Sequence, residues 1–380
     1  MSNLQKFKRV FLLLALLSSL QLKAISYDGF SLPKGGYQFS FPRDHGSHDH
    51  FKIEWWYITG HLFDESGRRF AFESTFFRTA LKPFSKEEEE FSSDSSDFSH
   101  QTIFFADMAL LDVKNQRFHF QRRWNRRGWD ASASKSKLDL RNGNWSLLMN
   151  DPASETMQLI GSIQAEASWE LALKPVKPLV IFGNNSISRK GEDPTAVSYY
   201  MSFPRLSLEG TLVEGTQQFH VHGEAWMDHE VSTSQLSSNQ VGWNWCSLQL
   251  KDGREIMVFE MRRRDGARDP YSTLTWINQQ GMLTSYHEKD FSLEPLSFWK
   301  SPLTAHSYPI NMRLRTIDPV LKKSVTFLLL PLAKNQELFG SNGLSYWEGA
   351  SRVINDAHEE VGSAFLELVG YGDHFEKNIQ

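Results

Sequence analysis

"IEWWYITGHLFDESGRRFAFESTFFR", residues 53–78, decides the fold. Its two arms, "WWYITGHLF" and "RFAFESTFF", are short and rich in aromatic and β-branched residues. Such residues pack well on a pleated, half-buried surface. The polar "DESGRR" between them (64–69) carries a glycine where a turn needs one. The unit reads as strand, turn, strand.

The pattern repeats along the chain. "TIFFADMALL", "RFHFQRRW", "SWELALKP", "TLTWI", "VTFLLLPL" and "AFLELVGY" read as further strands. "RNGN" (141–144) and "KDGR" (251–254) carry the Asn-Gly and Asp-Gly centres of tight hairpins. The one segment with helical character is "GASRVINDAHEEVG" (349–362), expected to hold a turn or two. Many short strands with regular turns define an all-β fold of barrels or sandwiches. "GWNWCSLQLKDGREIMVFEMRR" repeats the Trp-rich strand, Gly turn, strand, Arg order of the opening unit, so two similar β domains are expected. The expected division is 1–24, 25–212 and 213–380, with the acidic, serine-rich 85–101 as an exposed loop and 184–196 as a second long loop.

Of the 380 residues, 40% are hydrophobic and 23% charged, enough apolar material for a core. The net charge of -4 excludes a basic nucleic-acid footprint. Residues 1–24 have a basic start (Lys6, Lys8, Arg9), the apolar run "VFLLLALLSSLQL" and a small residue at Ala24, the pattern of a secretory signal peptide. The chain is thus expected to be exported, periplasmic or secreted, with no membrane span after cleavage. Cys246 is the only cysteine, which rules out an intrachain disulfide. Between aromatics in "WNWCSL" it reads as a buried, inert thiol.

The chemistry-bearing stretch is "GEAWMDHE" (223–230). In a strand over 219–231, His220, His222, Glu224, Trp226, Asp228 and Glu230 share one face. The opposite face is mostly apolar and must meet a core. A carboxyl held among aromatics has its charged form disfavoured and can act as a general acid near neutral pH. Asp228 is the candidate acid, with Glu230 and Trp226 as catalytic partners. Trp226, Trp243 and Trp245 could steady a developing cation with their ring faces. Two weak metal sets are present: His220, His222 and Glu224, and His45, His48, His50 and Glu54 in "HGSHDHFKIEWWY". Neither has an HExxH spacing, and no GxSxG, GxGxxG or P-loop occurs, so no cofactor is expected.

Five segments in order, 53–78, 189–212, 222–230, 241–266, and "YWEGA" (346–350) with "LELVGY" (366–371), resemble the AttH-like family, related to carotenoid 1,2-hydratase and described as predicted secreted hydrolases. The resemblance covers nearly the whole chain after residue 24. It implies two lipocalin-like β domains around an apolar ligand. Trp55, Trp56, Tyr57, Tyr199, Tyr200, Trp243 and Trp245 are the candidate ligand-binding aromatics. It further implies that Asp228 matches the proton donor proposed for the hydratases, and that ABC-transporter components are candidate partners. The chain departs from the family where Asn244 and Cys246 replace Asp and Phe, and where Asp107 replaces a common His. Three functions stay open. The first is an envelope carrier of a lipid or isoprenoid-like ligand linked to an ABC transporter. The second is a cofactor-independent hydratase or hydrolase using Asp228. In the third, the motif acids form inter-domain ion pairs with Arg68, Arg78, Arg262 or Arg263.

Overall fold

The computed structural model describes residues 26–83, 102–340 and 345–372. The expected signal peptide and the 85–101 loop lie outside these residues. Antiparallel pairing builds two large sheets. The first runs, in hydrogen-bonded order, Arg117–Arg126, Thr102–Asp112, Arg69–Ala80, Ile53–Asp64, Gln217–Ser234, Val197–Glu214, Ala167–Pro175, Thr156–Ile163, Trp145–Asp151, Asp139–Asn142 and Ala131–Ala133. It curls into a nearly closed barrel. The second runs Leu283–His287, Thr273–Ile277, Glu255–Arg263, Gln240–Leu250, Glu360–Val369, Ser345–Asn355, Lys323–Pro331, Ser307–Asp318 and Ser292–Lys300, and is also curled. The all-β, two-unit architecture expected from the sequence is present.

Two expectations are corrected. Residues 349–362 are not helical; they form the end of Ser345–Asn355, a turn, and the start of Glu360–Val369. The sheets change over between Ser234 and Gln240, not at 212/213. Residues 212 and 213 lie in one arm of the hairpin Val197–Glu214/Gln217–Ser234, whose arms pair along most of their 18-residue length. That long ladder holds the motif strand in the first sheet.

Period-2 alternation divides each strand between two environments. From Ile53–Asp64, Trp56, Ile58 and Leu62 fill the first barrel, while Tyr57 joins a cluster between the sheets. From Gln217–Ser234, Val221, Ala225 and Met227 point into the barrel, and Trp226 faces the second sheet. The second sheet has its own core around Cys246, Leu248, Trp276 and Trp347. The seam adds polar links: Gln249 Nε2 donates to the Ala225 and Pro204 carbonyls at 2.9 Å. Arg205 bonds Glu255 at 2.7 Å and the Leu250 carbonyl at 3.0 Å. Gly223 is required by close approach, since a Cβ there would lie 1.9 Å from the His61 carbonyl oxygen of the adjoining strand.

Candidate functional site

The even-numbered face of Gln217–Ser234 is not uniform. His220, His222 and Glu224 are exposed, while Trp226, Asp228 and Glu230 are buried. The second sheet covers only the later half of the strand, so one chemical face has two environments. A cavity of about 490 Å³ opens at the covered half. Its walls include Trp55, Tyr57, Phe77, Phe105 and Trp124 of the first sheet and Trp243, Trp245 and Phe259 of the second. Tyr200, Tyr346, Asp228, Glu230 and Glu367 bring polar atoms to it.

Four wall residues form a ladder. Trp55, Phe77, Phe105 and Trp124 are successive cross-strand neighbours. Their ring centroids are 6.4, 4.1 and 4.6 Å apart. Trp124 is 46% exposed, so the ladder runs from the interior to the surface.

Asp228 lies in this wall with no arginine or lysine in ion-pair contact among the described residues. Its Oδ1 accepts bonds from Ser202 Oγ and from Trp226 Nε1 at 2.6 Å. Its Oδ2 accepts one from Tyr200 Oη at 2.7 Å, and Tyr200 Oη accepts from Trp245 Nε1 at 2.9 Å. Burial pushes the carboxyl up to about 7, against the pull of these hydrogen bonds. Glu367, from the second sheet, is likewise raised by burial to about 7, opposed by the bond from Trp243 Nε1 at 2.7 Å. Repulsion from Asp228 and Glu230 raises it further, and the Lys190 ammonium pulls it back down.

Glu230 is differently placed. Its Oε1 is 3.1 Å from Lys190 Nζ and accepts from Ser198 Oγ. Lys190 is 2% exposed, and burial lowers its pKa against the pull of Glu230. Its ammonium also sits 3.7 Å from the Phe259 ring centroid and 4.3 Å from that of Tyr200.

The sequence placed seven aromatics at the ligand site, and alternation separates them. Trp55, Tyr57, Tyr200, Trp243 and Trp245 line the cavity. Trp56 and Tyr199 point to the opposite faces. Trp56 stacks on His229 at 4.6 Å, and Tyr199 on Tyr37 at 4.7 Å. Trp226 is not part of the lining and acts on Asp228 from behind. The strand pattern gave no sign of Glu367 or Lys190 at this site. A lone acid in the apolar "AFLELV" was the available signal for Glu367; Lys190 sits in 184–196, a segment expected to be a long loop.

The expected arginine locks are absent from Asp228. Arg68 pairs with Asp112 and Glu214, Arg78 with Glu54, and Arg263 with Asp265. Arg262 bonds the Gly370 carbonyl. Only Glu224 fits the inter-sheet role, through Arg205, which also holds Glu255 of the second sheet.

The metal candidates are rearranged. His220, His222 and Glu224 form no donor cluster. His48 and Glu54 are joined by His229 instead. His48 donates from Nδ1 to Glu54 at 2.8 Å and from Nε2 to Asp44 at 3.1 Å. Burial alone would lower its pKa, but the two carboxylates raise it. Arg78 Nε donates to Glu54 at 3.0 Å and His229 Nε2 at 2.9 Å. A metal ion here would meet a guanidinium and an imidazolium, so the donor set suits an internal ion-pair knot. His45 contacts Glu155 at 3.4 Å, and His50 is exposed. Asn244 bonds Glu260 and Tyr371 outside the cavity lining. Asp107 takes Arg122 and the Tyr346 hydroxyl.

The sequence profile of the AttH-like family matches residues 32–371, and the chain belongs to that family. No curated protein matches it. Among solved structures it is similar to a putative AttH from Nitrosomonas europaea, with 28% identity and a TM-score of 0.77 over 90% of this chain and 99% of that one. Kievitone hydratase from Nectria haematococca shares the fold at 13% identity and a TM-score of 0.61, covering 90% and 98%. CghA with Sch210972 does so at 11% and 0.54, covering 92% and 98%.

Proposed function

We propose that this protein is a cofactor-independent acid–base catalyst that adds water to, or removes it from, an apolar ligand held between the two sheets. The observation that carries the reading is Asp228: a buried carboxyl in a cavity wall, held by three donors and in ion-pair contact with no cation among the described residues. A carboxyl poised near 7 exchanges protons readily at neutral pH. In the hydration direction, Asp228 gives its proton to one alkene carbon. The cation left on the other carbon lies against aromatic faces. Water adds there, and its surplus proton returns to a carboxylate of the site, leaving one H and one OH on the former double bond. A hydratase shares the fold, which supports this chemistry as an analogy of architecture only.

An envelope carrier serving an ABC transporter would use the same cavity. The convergent carboxyls favour the catalyst over a carrier of a neutral lipid, because a neutral apolar cargo gains nothing from buried ionisable groups. Export, which rests on residues 1–24, would place either activity outside the cytoplasm. The test is incubation of the protein with the apolar extract of its native envelope in H2¹⁸O. A product carrying ¹⁸O with wild type and not with Asp228→Asn is expected. Extract components that bind without gaining ¹⁸O would establish the carrier instead.

A further inference from the structure

We propose that the cavity selects lipophilic cations, molecules with an apolar body and a quaternary or protonated amine, over neutral or anionic molecules of the same skeleton. The inference rests on the reading of this cavity as the ligand site and adds the charge of its preferred occupant.

The carboxyls facing the cavity are Glu54, Asp228, Glu230 and Glu367. Two are already matched, Glu54 by Arg78 at 3.0 Å and Glu230 by Lys190 at 3.1 Å. Asp228 and Glu367 have hydrogen-bond donors but no cation in ion-pair contact among the described residues. The lining cations are Arg78, committed to Glu54, and Lys52, the residue preceding the strand Ile53–Asp64. Asp228 and Glu367 thus have no ion-pair partner of their own among the described residues, and the Lys190 ammonium, held by Glu230, acts on both only through space.

The aromatic walls supply the second half of the argument. A ring face attracts a cation, and the attraction grows when both are out of water. Lys190 already shows this: its ammonium rests on the Phe259 and Tyr200 rings, both of which line the cavity. A ligand ammonium on the cavity side would meet Tyr57, Trp243 and Trp245 beside the two unmatched carboxyls. An anion would meet the same carboxyls and be repelled. A neutral molecule gains neither interaction. The preference also suits a reaction through a carbocation, which a bound ammonium imitates in charge.

The sign with pH follows. Asp228 and Glu367 are both held up to about 7, so they become anionic as pH rises through that value. Cation affinity should rise from pH 5 to pH 8, and alcohol affinity should not.

The experiment titrates the full chain with octyltrimethylammonium, octanol and octanoate, below their micellar concentrations, by calorimetry. At pH 8 the ammonium is expected to bind roughly tenfold tighter than the alcohol, and octanoate weakest. The ammonium-to-alcohol ratio should fall toward one at pH 5 and in the Asp228→Asn/Glu367→Gln variant. The ratio is read within one protein, so a partly unfolded variant lowers both affinities together. Equal binding of all three probes would overturn the proposal and leave the ligand site standing. A preference unchanged by pH or by the double variant would also overturn it. Failure of all three probes to bind would remove the ligand site itself, and the proposal with it.

Discussion

Replacing Glu367 with Gln should stabilise the protein, and only above pH 4.5. The group has an ordinary value of 4.5 and is raised to about 7 in the folded chain, first by burial. Below pH 4.5 the carboxyl is neutral in both folded and unfolded chains, so it exerts no pH-dependent penalty. As pH rises from 4.5 to 7, the unfolded chain ionises while the folded chain holds its proton. Stability is lost across that window at about 1.4 kcal/mol per pH unit. The loss approaches about 3 kcal/mol and is constant above pH 7. Gln keeps the acceptor for Trp243 Nε1 and cannot ionise, so it escapes the penalty. Urea unfolding of wild type and Glu367→Gln, followed by tryptophan fluorescence at pH 4.5, 6, 7.5 and 9, reads the difference directly. A gap of near zero at pH 4.5, growing to about 3 kcal/mol by pH 7.5 and then flat, is expected. A gap independent of pH, or a variant less stable at pH 9, would refute the reasoning. It would mean that Glu367 is already ionised at no cost, matched by a charge the geometry does not show.

Lys190→Met should destabilise the protein by about 3–5 kcal/mol at pH 8, because it strands Glu230 in the interior. A second change, Glu230→Gln, should restore most of that in urea unfolding, and no recovery would detach the two residues. Gly223→Ala should lower stability by roughly 1–3 kcal/mol, seen as a lower melting temperature, since its Cβ would collide with the His61 carbonyl oxygen. Cys246 should resist thiol reagents in the native protein and react only in denaturant, because it is fully buried and burial raises its pKa well above the usual range. Native labelling within minutes would contradict that.

The strands were legible in the sequence because alternation and turn glycines are local signals. Gly143 and Gly253 sit in the two hairpin turns with φ of +64° and +82°, where the sequence suggested turns. The domain boundary was not legible, because nothing local tells that the two arms of the 197–234 hairpin pair along most of their length. Half of the site was legible in the same way. "GEAWMDHE" announced a polar face with an aromatic, and that face does carry Asp228 into the cavity. What it could not announce was where the cover begins. His222 and Asp228 belong to the same face, yet one is exposed and the other buried, because the second sheet crosses between them. The partner acid, Glu367, comes from a strand of the other sheet far along the chain, and no periodicity relates the two.

The raised pKa of Asp228 therefore belongs to neither sheet alone. Its strand faces the interior of the first barrel with Ala225 and Met227, and that packing is complete without the second sheet. The opposite face would meet water in an isolated barrel, and a carboxylate there would titrate near its ordinary value. Packing the second sheet on it removes that water and, among the described residues, brings no cation into ion-pair contact with Asp228, while Trp245 completes the bond chain through Tyr200. The same packing brings Glu367 into the field of Asp228. Two acids each raised by burial, Asp228 further by Glu230 and Glu367 further by Asp228 and Glu230, oppose close contact of the sheets at neutral pH. The seam withstands this because ion-paired bridges elsewhere, such as Arg205 between Glu224 and Glu255, hold it closed. Unmatched acids at the cavity and matched ones at the clamp are a division of labour. Stability is given up at the unmatched acids of the cavity and regained where geometry allows full pairing.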